Sequence, residues 1–368
     1  MVYQIWVLMK ELSKKIIFAT ITSFLLLSCA INKEEKKEIE KRGDFRVMFY
    51  NAENFFDTKH DSLKNDYEFL PDGKKFWDNR KLYEKINNLS KVITAVGQWE
   101  QPELVGMCEI ENQNVLEMLV SNSPIFKTHY KIVHKESPDH RGIDVALLYR
   151  KERFTPIKFE TFEIKMPFSP STKTRDLLYV KGLVLGKDTL HVFVNHWPSR
   201  WGGQLESEAK RVFVAQKLKS ITDSIFKLNN KANILIMGDF NDEPENISIK
   251  NYLRAGLEEQ TPANDTSLYN LTAILHKKTG QGTHKYQGTW GVLDQMIVSG
   301  ALLNKQNKIY TSYNNSHIYI APFLLEPDLK YTGEQVKRTY IGYSYHGGFS
   351  DHLPVYTDFF INSSNEKN

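Results

Sequence analysis

Asn233-Ile234-Leu235-Ile236-Met237-Gly238-Asp239-Phe240-Asn241 carries an unbroken apolar run from Ile234 to Met237 and stops abruptly at a carboxylate and an amide. Four consecutive apolar side chains without polar alternation read as a strand buried on both faces. The same event recurs along the chain. Phe45 to Tyr50 ends at Asn51, Leu104 to Cys108 at Glu109, and Leu190 to Val194 at Asn195-His196. Asp294 interrupts another apolar run, and Asp351-His352 precedes the run Leu353 to Tyr356. Polar groups at strand ends gather along one rim of a sheet, where pockets usually form. A lone aspartate after a strand is more often a cap or turn residue, and a lone histidine more often a satisfied structural group. Six such positions in one stretch point instead to a site.

Between these strands, Leu82, Ile86, Leu89, Ile93 and Val96 repeat at helical spacing and predict an amphipathic helix over 78–97. Val115, Leu116 and Leu119 suggest a second helix, and 205–228 a long third one. Further strands are expected at 143–149, 154–164 and 177–185. Strands interspersed with helices and joined by hairpin-length connections imply a mixed α/β or α+β sandwich. No repeat or Pro/Gly/Ser linker divides residues 44–360, so they form one domain. Segments 57–77 and 300–349 look irregular, and the second is rich in Tyr. Long loops in compact domains serve as lids or specificity elements, or simply pack on the surface.

The formal charge of +4 arises mostly at the N-terminus. Residues 1–43 hold eight Lys/Arg and five Glu, which leaves the rest of the chain near +1. Net charge therefore gives no general attraction for a polyanion. Lys10, Lys14 and Lys15 precede an apolar run, Ile16 to Leu27, that is short for a membrane span and suits a secretory signal. Leu26-Leu27-Ser28-Cys29 resembles a bacterial lipobox. The expectation is a signal peptide at 1–28, lipidation of Cys29, a charged tether at 29–43 and a tail at 361–368. The chain would then sit in the bacterial cell envelope, held to a membrane through that lipid, as a monomer. An uncleaved anchor helix is the alternative, and it too puts the domain outside the cytoplasm. The other cysteine, Cys108, leaves no disulfide to be made within the mature domain.

Carboxylates and amides are hard oxygen ligands that suit Mg²⁺, Mn²⁺ or Ca²⁺. The chain has no HExxH zinc motif, no Walker loop, no GxGxxG in a strand-to-helix context and no GxSxG elbow. Zinc proteases, nucleotide-cofactor enzymes and acyl hydrolases are disfavoured accordingly. A cation with carboxylates and two histidines is what hydrolysis of a phosphate ester requires: charge neutralisation, a base for water and an acid for the leaving oxygen.

At these residues the chain resembles the endonuclease/exonuclease/phosphatase superfamily, which includes deoxyribonuclease I. The likeness spans about residues 44–360 in the family's order: Tyr-Asn-Ala-Glu-Asn (50–54), Cys-Glu-Ile-Glu-Asn (108–112), Arg-Gly-Ile-Asp-Val-Ala-Leu-Leu-Tyr (141–149), Asn-His-Trp-Pro-Ser (195–199), Gly-Asp-Phe-Asn (238–241), Leu-Asp-Gln (293–295) and Ser-Asp-His-Leu-Pro (350–354). The resemblance implies a four-layer α/β/β/α sandwich with two mixed β-sheets packed face to face. It implies that Glu109 is the principal metal ligand, helped by Asn51, with Asp351 beside the same ion. His352, oriented by Asp294, would serve as base toward water or as phosphate donor. Asp239 and Asn241 would position nucleophile and phosphate, while His196 with Asn195 would donate to the phosphate or the leaving group. Asp144 is the candidate partner to orient His196. Glu53, Asn54, Glu111 and Arg141 lie near the site in sequence and suit a substrate contact, a supporting role or a surface position equally.

Arg200, Lys210 and Arg211 follow the Asn-His-Trp-Pro-Ser motif with Trp197 and Trp201 interleaved, a pattern able to grip a nucleic-acid strand. For Lys210 and Arg211 the preferred reading is the solvated face of the 205–228 helix. The resulting expectation is an exported, divalent-metal-dependent nuclease or phosphodiesterase acting on DNA or RNA, with Arg141, Arg200 and Asn195 touching substrate. The alternatives are a phosphatase or phospholipase-type enzyme on inositol phosphates, nucleotides or sphingolipids, and an inactive ligand-binding lipoprotein on the same scaffold.

Overall fold

The computed structural model describes residue 1 and residues 42–362. The expected signal peptide, Cys29, the tether up to residue 41 and the last six residues lie outside the described residues. Among those described, no helix is long and apolar enough to cross a membrane.

Two seven-stranded mixed sheets form the centre. In the first, β1 (Phe45–Phe55), β2 (Leu104–Ile110), β3 (Lys131–His134) and β4 (Asp144–Tyr149) lie in the order β1-β2-β4-β3, and the strand Val355–Ile361 pairs with the far side of β1. In the second, β5 (Phe154–Phe162), β6 (Leu177–Val184), β7 (Asp188–His196) and β8 (Ile234–Asp239) follow in order, and Asp294–Ser299 pairs with β8. β1 runs parallel to β2, and β7 parallel to β8. Asp294–Ser299 and Val355–Ile361 run antiparallel to their neighbours. The ends of the four parallel strands and the beginnings of the two antiparallel ones therefore share one edge.

Strand alternation explains the layers. Leu235 and Met237 of β8 join Val192, Val194, Met296 and Val298 in the main core, while Ile234, Ile236, Phe193 and Ile297 belong to a second cluster on the other face. Against that second face packs the helix Gln204–Leu228 through Val214, Ala215 and Leu218. A Cβ on Gly106 would lie 2.7 Å from Met237 Cε, so the sheets approach closely there and a side chain at 106 would push the methionine tip aside. The helix Asn79–Gly97 covers the first sheet with Leu82, Ile86, Leu89, Ile93 and Val96, and Asp78 caps it by accepting the Lys81 N–H at 2.9 Å. Burying each such aliphatic side chain contributes about 1.5–3 kcal/mol. Helix, sheet, sheet, helix is the expected four-layer sandwich.

One element departs from expectation. The segment 300–349 is not simply irregular: it carries short 3₁₀ turns and ribbon strands at Leu325–Pro327, Glu334–Val336, Tyr340–Ile341 and Ser344–Tyr345. These strands are two or three residues long, too short for alternation to register in the sequence.

Candidate active site

Alternation also aims the site. His196 lies two residues beyond Val194, Asp239 two beyond Met237, and Asp294 two before Met296, so all three leave the sheet on its inner face. Glu109 should point the other way, because Cys108 already faces His196 and Asp239. A register shift between Cys108 and Ile110 corrects this, and Glu109 adopts a left-handed φ of 60°. A bulge of this kind re-aims one side chain without disturbing its neighbours. β1 carries a matching irregularity between Asn51 and Phe55, where Glu53 and Asn54 have φ of 49° and 56°. Asn241 is left-handed as well. Glu109 and Asn241 line the cleft and Glu53 and Asn54 the pocket beside it, so four of the ten left-handed non-glycine residues among those described gather where the strand-end polar groups meet, as strained backbone does at functional sites.

The cleft, of about 830 Å³, is lined by Glu109, His196, Asp239, Asn241, Asp351 and His352, with Arg141 and Arg200 on its walls. Asp239 is its hub. Its Oδ2 lies 3.7 Å from His196 Nε2 and 3.9 Å from His352 Nε2, and it accepts the Asn51 amide at 3.1 Å. Asp294 holds His352 through Nδ1 at 2.6 Å, and the Asn241 backbone N–H donates to Asp239 Oδ1 at 2.9 Å. Burial pushes the Asp239 carboxyl up to about 7, with Asp294 and Glu109 adding to the rise against the opposing pull of His352. The two imidazoles are driven apart. Burial disfavours charge on His352, but Asp294, Asp239 and Asp351 together outweigh it and hold the ring well above the usual histidine range. Burial takes His196 well below that range, reinforced by Arg175, Arg141 and His352. One histidine is thus held charged and the other neutral, a division typical of acid and base partners.

Other predicted residues take more particular places. Asn51 offers its amide N–H₂ to Asp239 while its oxygen accepts the Glu53 N–H at 2.8 Å, so it tethers the hub. Asp351 is bound by Arg338 at 2.8 Å. Asn195 is buried and bonds the Met237 carbonyl and the Trp197 indole, which supports the strand ends rather than the cleft surface. Arg200 reaches the cleft wall, yet it also donates to the Asn241 carbonyl and to Asn246 at 2.8 and 2.9 Å. Glu111 faces away, accepting the Asp57 N–H at 2.6 Å. Asp144 does not orient His196: it bonds the Ser137 N–H and faces His134. His196 Nδ1 is buried with no hydrogen-bond partner.

The reading of Arg211 as solvated face is wrong. The residue is fully buried, and its guanidinium lies 2.8 Å from Asp242. Helical phase alone gave it the polar side, because the acid that recruits it sits 31 positions later in the loop after β8. Trp197 is likewise buried against Phe240, leaving Trp201 alone at the surface, so the interleaved aromatic-basic strip does not form.

Sequence reasoning also missed several residues. Arg338 bridges Asp351 and Glu53. Lys85, buried beneath them on the Asn79–Gly97 helix, has its pKa lowered to about 8 by burial, against the raising effect of Glu53 and Asp351. His284 packs on His352 with ring centroids 4.8 Å apart. None of the three adjoins a strand-end motif, and no local signal distinguishes them.

The donor set fits a divalent cation. Glu109 Oε2 accepts the Asn54 N–H at 2.8 Å, and Oε1 lies 3.9 Å from the nearest histidine nitrogen, on the cleft wall. Asp294 Oδ1 is buried without a partner. Ligand atoms of Asp239, Asp294 and His352, and those of His284, Asp351 and His352, fall within 4.8 Å of one another. Carboxylates crowded at this density favour a bound positive charge.

Fold and cleft together define a hydrolase of phosphoester bonds. The chain belongs to the Endonuclease/Exonuclease/phosphatase family, whose model matches residues 46–361. Solved structures share the fold at low identity. D. rerio TDP2 complexed with a single-strand DNA product aligns with a TM-score of 0.52 and 14% identity, covering 86% of this chain and 98% of that one. Bacteroides thetaiotaomicron mannosyl-6-phosphatase aligns with a TM-score of 0.51 and 13% identity, covering 86% and 100%. No curated protein matches significantly.

Proposed function

We propose that the chain is an exported, divalent-cation-dependent phosphoesterase that hydrolyses phosphodiester bonds by attack of water. The observation that carries this is the convergence of both histidines on Asp239 Oδ2, with opposite charge preferences. Asp239, whose carboxyl burial brings to titrate at about 7, orients the attacking water and in its ionised form accepts the proton. His352, kept charged by Asp294, donates to a phosphate oxygen or to the leaving oxygen. Asn241 and neutral His196 bracket the phosphate from the second sheet. Glu109 and Asp351 supply oxygen ligands for Mg²⁺ or Mn²⁺. Charge neutralisation at the phosphate is the chemistry such an ion contributes when bound. Export and a lipid on Cys29 rest on the N-terminal sequence alone. Radiolabelled palmitate should enter the wild-type chain in a bacterial host, and Cys29→Ser should abolish labelling.

A second reading has its own support. Glu243 and Glu245 line the cleft, where a long polyanion would meet repulsion. That wall favours a compact phosphate monoester. A bacterial phosphatase on the same fold and a relative holding single-strand DNA lend each reading a precedent. Purified protein with Mg²⁺ or Mn²⁺ should be offered DNA, RNA, bis-p-nitrophenyl phosphate and p-nitrophenyl phosphate. Cleavage of the diesters supports the main proposal, and release from the monoester alone supports the second. Indifference to all four, matched by Glu109→Gln, would overturn both.

A further inference from the structure

Asp144 opens β4 completely buried, with one oxygen satisfied and the other not. Oδ1 accepts the Ser137 N–H at 2.9 Å, while Oδ2 faces His134 Nε2 at 3.3 Å. The two side chains are 1% and 3% exposed, yet neither of the facing atoms has a hydrogen-bond partner. Buried polar atoms are almost always satisfied, so a pair left open needs an explanation. The spacing supplies one. Ligand atoms about 2.0–2.1 Å from a tetrahedral ion lie roughly 3.3 Å from each other.

A third donor completes the group. Ligand atoms of His134, Glu136 and Asp144 all lie within 4.8 Å of one another. Glu136 is exposed, which gives an ion a way in and leaves room for water as a fourth ligand. None of the three residues lines the catalytic cleft.

We propose that His134, Glu136 and Asp144 bind a divalent transition-metal ion separate from the catalytic one. One imidazole with two carboxylates suits Zn²⁺, whereas Mg²⁺ prefers oxygen throughout. The position gives the ion a task. His134 ends β3 and Asp144 begins β4, so the ion clips the neck of loop 135–143. That loop carries Arg141, on the cleft wall, and Asp139. Asp139 bonds Arg175, which in turn holds the backbone carbonyls of His196 and Trp197. Closing the neck therefore fixes one wall of the cleft without touching substrate.

The test is Zn²⁺ stoichiometry and affinity on the full chain after stripping with chelator, and it does not depend on any catalytic assay. Wild type should bind one equivalent more than His134→Gln or Glu136→Gln. Glu109→Gln should keep the equivalent that His134→Gln loses, which separates this site from the cleft. Glu136→Gln is the safer variant because it lies at the surface. Its affinity should fall by more than the roughly 10–100-fold that outer-shell partners are worth. Zn²⁺ should also slow proteolysis within 135–143 in wild type and not in Glu136→Gln. Equal stoichiometry and affinity in wild type and both variants, or equal cleavage of the loop with and without Zn²⁺, would overturn the proposal.

Discussion

Replacing Arg211 with Met should destabilise the protein far more than any surface change on the Gln204–Leu228 helix. The Met side chain keeps most of the packing volume but abandons a charge contact of 2.8 Å with Asp242, and bonds to Ser207 and the Gln204 carbonyl at 2.7 and 3.1 Å. Asp242 is itself buried, so the variant strands a carboxylate. Breaking a buried pair from one side costs about 3–5 kcal/mol. The lower end applies here, because Ser248 still donates to Asp242 at 2.6 Å and Arg200 remains 3.4 Å away. With about 320 folded residues and an unfolding entropy of about 2 cal/mol/K per residue, 3–5 kcal/mol corresponds to a fall of roughly 5–8 °C in Tm. Thermal and urea unfolding of Arg211→Met, Asp242→Asn and the double variant measure this directly. The double variant should recover part of the loss, since no charge is then stranded. Asp242 directly follows Asn241, so activity should fall alongside stability. A loss below about 1 kcal/mol, with additive single effects, would refute the argument that the pair is a buried strut.

Three further outcomes follow from the cleft and its surroundings. Asp294→Asn removes the strongest partner of charged His352 and should lower turnover by about 10²–10⁴-fold, with the ionisation assigned to His352 moving to lower pH in the rate profile. Chelation should abolish hydrolysis in wild type and Mg²⁺ or Mn²⁺ restore it, whereas Glu109→Gln should stay inactive at saturating metal. Glu111 is raised to about 8 by burial, so it binds a proton more tightly folded than unfolded. Its contribution is complete below the ordinary carboxylate value and is lost as pH rises through 8. Glu111→Gln should therefore gain Tm over wild type between pH 5 and pH 8, and an unchanged difference would contradict the assignment.

The layers were legible because strands such as Ile234–Asp239 are apolar on both faces and helix Asn79–Gly97 has one clean stripe. The rim of strand-end groups was legible too, since alternation carries Asp239 and His196 to the same face as Met237 and Val194. What escaped depends on pairing across the chain. Arg338 finds Glu53 285 positions away, and nothing around either residue announces the other. Arg211 was misread for the same reason, because helical phase reports an average face and not a buried acid waiting opposite. The aim of Glu109 was hidden differently. Plain alternation would have sent it outward, and only the bulge reverses that.

Two of the four left-handed residues around the cleft, Asn54 and Asn241, tolerate that backbone region readily, while Glu53 and Glu109 do not. Conformational tension therefore rests on two carboxylates, at about 1–3 kcal/mol apiece. Laboratory evolution for heat resistance alone would drift toward glycine at 109, and its hardiest clones would be chemically dead.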